Sequence, residues 1–194
     1  MRKVRRFRIE LRRREWLRRA RKARLDPASL GLGDEAGMAA FASSLQETFA
    51  SAVLWRSFPA GDPRAHLAPV SGLGFTVGLA TLGPRPDQFC RALVESRQEG
   101  RHAMARIGVE LALEDAVAFA LGLIKAEASE EGCELSPLSS LREMEGLGTA
   151  IEALEASKVG VTLQDGQLDP LGTAAFCVSW IARPRSRRTA PQRR

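Results

Sequence analysis

The stretch that decides the fold runs from Gly132 to Ala182. It reads GCELSPLSSL over 132–141 and, after a short helical segment, SKVGVTLQDGQLDPLGTAAFCVSWIA over 157–182. Gly132 ends a long helix, as glycine at such a position commonly does. A Ser-Pro loop leaves it and a second, shorter helix follows. Asp165-Gly166 sits between two apolar, β-branched runs, which is a good hairpin signal. A strand is therefore expected over Lys158–Leu163 and a last strand over Thr173–Ala182. Pro170 has no N–H to give a ladder, so the Leu168-Asp169-Pro170 step interrupts the return strand.

Upstream, Phe7, Ile9 and Leu11 alternate with Arg8 and Glu10, the period of a half-buried strand. From Arg13 the spacing changes. Trp16, Leu17 and Ala20 fall three and four apart among arginines, which predicts a short amphipathic helix with a basic outer face. Asp34 is placed to cap a helix whose apolar stripe runs over Glu35–Ala52. Val53–Phe58 reads as a short strand and Gly72–Leu82 as a buried one. Pro86 opens a helix that Gly100 stops. The long helix spans about His102 to Glu131. Its apolar residues lie on several sides, which marks it as the buried spine of its domain. Glu110 and Glu114 share a face, a spacing that can serve acid–base work. Arg106, four residues before Glu110, makes a surface ion pair the expected reading.

These elements imply an α+β fold, a mostly antiparallel sheet flanked by helices. The Gly72–Leu82, Lys158–Leu163 and Thr173–Ala182 strands are expected in one sheet, with the long helix packed across it.

The net charge of +6 hides an asymmetry. Residues 1–24 carry 13 Lys/Arg and 2 Glu, and residues 183–194 carry 6 Arg and no acid. The intervening body, 25–182, has 10 basic and 21 acidic residues. The chain therefore divides into a basic strand–helix N-terminus over 1–24, part of the fold from about residue 7, an α+β body over 25–182, and a basic tail over 183–194 expected to be disordered. The basic ends make nucleic acid or an acidic protein the conceivable partners. A plainly solvated basic face is the alternative.

Several classes of chemistry find no residues. His66 and His102 are the only histidines, and neither lies in a nucleophile motif. There is no H-E-x-x-H, Walker loop or G-x-G-x-x-G, so no catalytic or metal-ligating set is assigned. Cys90, Cys133 and Cys177 are odd in number and far apart, which suggests buried, reduced thiols. With 3 Trp and no Tyr, few base-stacking platforms exist. The longest apolar run, Ala116–Ile124, is far short of the roughly 20 residues of a membrane span. A cytoplasmic location without membrane contact is expected.

Four segments carry a resemblance. FRIELRRREWL (Phe7–Leu17), Thr76–Gly83 with the Pro84–Gly100 helix, Ile107–Glu131 with the loop after it, and VGVTLQDGQLDPLGTAAFCVS (Val159–Ser179) occur in an order that resembles the activation (reactivation) domain of cobalamin-dependent methionine synthase in a stand-alone form. The resemblance runs from about Phe7 to Pro184. It implies an accessory protein that docks on cobalamin-dependent methionine synthase or another corrinoid protein and uses S-adenosylmethionine for reductive remethylation of cobalamin. Cobalamin would arrive only on that partner, because this chain has no D-x-H-x-x-G. The resemblance thus places any enzymatic role with methyl transfer to methionine.

The resemblance also implies a ligand segment, Glu134, Ser136, Pro137, Leu138 and Ser139, with Pro170 and Thr173 from the hairpin. The family's Arg-x-x-Pro-Gly-Tyr-like pattern falls on Glu134 for arginine, Pro137 for proline, Leu138 for glycine and Ser139 for tyrosine. Leu168 takes a methionine position, and Thr173, Ala174, Ala175 and Phe176 replace Ser-Val-Ser-Gly. An anion thus stands where the family has a cation, and it repels a ligand carboxylate. A lost charged hydrogen bond costs about 1.5–3 kcal/mol, roughly ten- to a hundredfold in affinity.

Overall fold

The computed structural model describes residues 1–183. Its centre is β3 (Gly74–Thr81), buried from Phe75 to Thr81. Alternate residues of a strand face opposite sides, so a strand with apolar residues at both parities must be covered on both faces. That is the arrangement found. β3 pairs antiparallel with β2 (Ala52–Pro59) on one edge and with β8 (Thr173–Ala182) on the other. β1 (Arg2–Arg5) extends the sheet beyond β2, while β4 (Cys133–Leu135) and β5 (Ser139–Leu141) share the outer edge of β8. All these pairings are antiparallel, and the fold is α+β.

One face of the sheet carries Val53, Trp55, Ala80, Phe176 and Val178. Against it lies α4 (Glu99–Glu130), whose Ala105, Ala112, Ala116, Ala120 and Ile124 are fully buried. The small side chains let the helix backbone come close to its neighbours. At Gly108 an added Cβ would lie 2.7 Å from Trp16. Trp16 belongs to α1 (Arg13–Lys22), and its indole N–H donates to the Met104 carbonyl at 2.8 Å. Also on this side are α2 (Glu35–Gln46), capped by the Asp34 carboxylate through the Gly37 N–H, and α3 (Arg85–Glu95). The opposite face carries Leu54, Phe75, Val77, Leu79, Ala175 and Cys177. It is covered by α5 (Met144–Ala153), by a 3-10 turn at Pro63–Leu67, and by the hairpin of β6 (Thr162–Gln164) and β7 (Gln167–Asp169).

Five local expectations need correction. The strand expected over Phe7–Leu11 forms at Arg2–Arg5, and the chain leaves the sheet at Arg6, whose φ is 57°. The alternation of residues 7–11 is nevertheless real, with Ile9 buried. Side chains replace the ladder here: the Ser51 hydroxyl donates to the Phe7 carbonyl and the Gln46 amide to that of Ile9. The Glu35–Ala52 helix stops at Gln46, because Ala52 is taken into β2 between Arg5 and Thr81. Gly100 does not stop α3. The break is at Arg97, with φ 56°, and Gly100 lies inside α4, where Leu30 occupies the space a side chain would need. The ion pair expected between Arg106 and Glu110 is not formed among the described residues; of the two glutamates on that face, Glu114 pairs with Arg19 at 2.7 Å.

The fifth correction concerns Lys158–Leu163. Residues Ala156–Val159 form a 3-10 turn, Gly160 follows at φ 73°, and only then does β6 begin. Asp165 and Gly166 both have positive φ, 50° and 77°, as a two-residue hairpin turn requires. The hairpin forms its own two-stranded sheet and does not join β3 and β8. The physical reason is occupancy: both edges of β8 are already paired, one by β3 and the other by β4 and β5.

The three thiols are buried and unpaired. Of the expected tail over 183–194, only Arg183 lies among the described residues; its guanidinium donates to the Ser129 hydroxyl at 2.9 Å.

Candidate functional site: the clefts beside β5

Most of the expected ligand segment lies on the outer edge of β8. Leu135 pairs with Trp180 and Ser139 with Cys177. Three residues, Ser136, Pro137 and Leu138, therefore oppose two, Val178 and Ser179. That is a β-bulge, and it bends the edge strand. Ser136 holds it. Its N–H donates to the Ser179 carbonyl, and its hydroxyl accepts from the Ser179 N–H at 2.9 Å and donates to the Pro137 carbonyl. Pro137, Leu138 and Glu134 are exposed on this edge.

The hairpin residues sit elsewhere. Pro170 is buried after a cis peptide bond to Asp169. The Thr173 hydroxyl donates to the Thr81 hydroxyl at 2.8 Å at the start of β8. Glu134 pairs with Ile181 near the other end of that strand, so Thr173 and Glu134 are about 26 Å apart at ~3.3 Å per residue. The structure thus does not bring all seven residues to one point.

It brings Ser139 and Thr173 to two clefts that meet at β5. The first, about 430 Å³, has a mixed lining that includes His66, Leu67, Pro69, Ser139, Arg142, Glu143 and Glu145. The second, about 330 Å³, is mostly apolar and includes Leu147, Leu168, Leu171, Thr173, Ala174 and Ala175. Ser140, Leu141 and Arg142 line both. Three elements build these walls. The turn after β5 carries Arg142, the 3-10 turn at Pro63–Leu67 brings His66, and the β6–β7 hairpin brings Leu168. Leu171, 54% exposed, stands at the mouth of the apolar cleft. Its N–H donates to the Asp87 carboxylate at 2.8 Å, and burial pushes the Asp87 carboxyl above its ordinary range. Among the described residues, β5 pairs only with β8, and no second strand lies on its outer side.

Among the described residues, no hydroxyl or thiol hydrogen-bonds to a histidine beside these clefts. His66 Nδ1 lies 3.1 Å from the Pro63 carbonyl, a local contact. Among the described residues, no three His, Cys, Asp or Glu side chains gather as a metal site. No described helix is long and apolar enough to cross a membrane. Arg142 lines both clefts and was not among the residues the sequence pointed to. It was visible as the only Lys or Arg between Lys125 and Lys158.

The fold is similar to that of the MetH reactivation domain. The crystal structure of that domain bound to AdoHcy superposes with a TM-score of 0.57, over 92% of this chain and 77% of that one, at 14% sequence identity. At that identity the likeness is one of fold. No protein-family model matches the chain, and no curated protein matches it in sequence.

On this scaffold three of the thirteen basic residues of the N-terminal segment pair with carboxylates of α4. Arg2 pairs with Glu127, Arg12 with Asp115 and Arg19 with Glu114, at 2.9, 2.7 and 2.7 Å. Arg13 reaches Glu35, and Glu15 takes both Arg18 and Arg19. Hydrogen bonds from Arg18 and then Arg19 hold the Glu15 carboxyl at about 2, and Arg19 lowers that of Glu114. Arg14, Arg21 and Lys22 are exposed and have no ion pair among the described residues.

Proposed function

We propose that this protein is an accessory domain that binds an S-adenosyl compound in the clefts beside β5 and docks on a cobalamin-carrying partner, methionine synthase or another corrinoid protein. The observation that carries the reading is the fold likeness to a reactivation domain with AdoHcy (S-adenosylhomocysteine) bound, extending over 92% of the chain. The clefts fit such a ligand in kind. An apolar wall suits an adenosine, and polar, charged walls suit an amino-acid group. Bound S-adenosylmethionine supplies a methyl group; cobalamin arrives on the partner.

In this reading Ser139 and Thr173 border the ligand. Ser136, Pro137, Leu138 and Pro170 shape the edge strand and the hairpin return. Glu134 stands off as an exposed anion. The body over 25–182 and the N-terminal segment docked on it work as one unit, and residues 183–194 add six arginines to the sequence.

Calorimetry with AdoHcy and S-adenosylmethionine tests this. Saturable binding of both is expected. No heat with either at millimolar ligand would overturn the adenosyl reading. The Glu134→Arg variant is a control on the sequence correspondence: unchanged affinity is expected if the ligand lies in the clefts, and tightening would move the ligand to the β4 edge.

The exposed Arg14, Arg21 and Lys22 favour a second reading, a non-catalytic module whose basic ends contact nucleic acid or an acidic protein. Phosphate contacts release counterions, so this reading requires steep salt dependence. Salt-independent or undetectable binding to a labelled duplex and to an acidic polypeptide would remove it.

A further inference from the structure

Asp87 lies in the first turn of α3, which starts without a side-chain cap. Its carboxylate does not serve that helix. It accepts the Leu171 N–H at 2.8 Å, from a residue 84 positions later in the chain. Asp87 is half-buried and closes no ion pair among the described residues, an arrangement that costs stability. α3 packs on the α4 side of the sheet, whereas Leu171 lines the apolar cleft on the opposite side. The bond therefore ties the two sides together past the end of β3. Two neutral bonds hold the same return loop. The Leu82 N–H donates to the Gly172 carbonyl at 2.9 Å, and the Thr173 hydroxyl donates to that of Thr81. The Asp87 bond is the charged one, and it acts on the residue at the cleft mouth. Leu171 is largely exposed there, so packing does little to fix it.

Resting on the adenosyl reading above, we infer that Asp87 is a positioning residue for the apolar cleft: its carboxylate holds Leu171 in place as the wall that meets the ligand's adenosine. A hydrogen bond to an ionised acceptor is roughly twice as strong as a neutral one. Protonation of the carboxylate weakens that hold. Burial pushes the Asp87 carboxyl up; the Leu171 N–H and Arg106 of α4 draw it back, Asp169 of β7 adds to the rise, and Arg91 of α3 opposes it. The Cys90 thiol, itself raised by burial, also faces it. The hold on Leu171 therefore weakens as the pH falls through a value above the ordinary aspartate range. The effect on folding has the opposite sign. A carboxyl raised in the folded state favours folding when protonated, and that contribution is lost as the pH rises through the folded value. Acid thus loosens Leu171 while relieving the cost of a buried charge. A purely structural aspartate would not separate the two.

Amide NMR on the full chain reads the bond without a ligand. The Leu171 N–H shift should follow a single titration with its midpoint above the ordinary aspartate value of about 3.9, and should not titrate in Asp87→Asn. Calorimetry reads the cleft. AdoHcy and methylthioadenosine, which keeps the adenosine and lacks the amino-acid group, should both weaken about three- to tenfold in Asp87→Ala, the usual worth of a hydrogen bond. Asp87→Asn keeps an acceptor oxygen, so it should restore most of the affinity and make it independent of pH through that titration. Its thermal midpoint at neutral pH should equal or exceed that of the wild type. If both ligands bind equally well to wild type and Asp87→Ala, this assignment falls and the adenosyl reading stands. A pH dependence of affinity that persists in Asp87→Asn would belong to another group, such as His66 in the adjoining cleft, and also overturns it. A Leu171 amide that does not titrate overturns it whatever binds. If neither ligand binds at millimolar concentration, the adenosyl reading falls and takes this role with it.

Discussion

The two faces of the central sheet are built differently. The face under α4 is sealed by a 32-residue helix rich in buried alanine and by Trp16 at 0% exposure. The opposite face is covered by short pieces: α5, a 3-10 turn and a six-residue hairpin sheet. The long helix covers the middle of its face, and the clefts on that side lie at its margins, one by Arg2, Trp55 and Glu127 and one by Leu17, Leu25 and Leu32. Short ones leave grooves at their junctions, and both clefts beside β5 lie at such junctions. Stability should therefore concentrate under α4, and ligand-dependent behaviour should concentrate beside β5.

The sharpest way to break this contrast is Trp16→Ala. It empties a fully buried site and removes the hydrogen bond to the Met104 carbonyl. A loss of about 3–5 kcal/mol is expected in urea unfolding. A loss under about 1 kcal/mol would show that α1 is not part of the core, against the usual range for a large core truncation. Gly108→Ala should follow, at about 1–3 kcal/mol, because the new methyl group meets Trp16 and Leu45.

On the other face, Ser136→Ala should cost about 1–3 kcal/mol by leaving the Ser179 N–H without its acceptor in a buried bulge. Equal unfolding midpoints for wild type and variant would mean that the bulge relaxes freely. Leu171→Ser sharpens the comparison from the opposite side. It sits exposed at the cleft mouth, so its stability change should stay within about 0.5 kcal/mol, while AdoHcy affinity falls. A large drop in midpoint would place Leu171 in the core.

The smallest effect expected is a pH dependence of the α1–α4 contact. The Glu15 and Glu114 carboxyls are lowered in the folded state by Arg18 and Arg19. A depressed carboxyl stabilises above its unfolded value and loses that contribution as the pH falls through the folded one. The thermal midpoint should therefore decline from about pH 4.5 toward about 2, where Glu15 titrates. Arg19→Ala should flatten that decline. An unchanged slope in the variant would show that these pairs are too exposed to matter.

Much of this contrast was legible in the chain. Asp34 before Glu35, Pro86 at the start of a helix, Gly132 after a long apolar run and Asp165-Gly166 at a turn all act through their own backbone chemistry. A reader needs no partner residue to place them. Gly100 misled for the opposite reason: its small size serves Leu30, seventy positions earlier, and not the local helix. Phe7–Leu11 misled in the same way, because its alternation is satisfied by Ser51 and Gln46 instead of a strand. Beside β5, Ser139 and Thr173 were named through the resemblance to a family pattern, whereas the place of Arg142 between the clefts required knowing which turns lie side by side.

By itself the sequence determined the element types, the antiparallel α+β class and the basic ends. Those depend on periodicity, capping and turn residues, which act within a few positions of themselves. Only the tertiary structure decided that the β6–β7 hairpin stands apart, that Arg2, Arg12 and Arg19 pair along α4, and that Arg142 lines both clefts. Each of these turns on competition for a shared surface. β8 has two edges and both were taken; α4 offers carboxylates only to what lies against it. Such outcomes are set by contacts between residues far apart in the chain, and no local pattern encodes them.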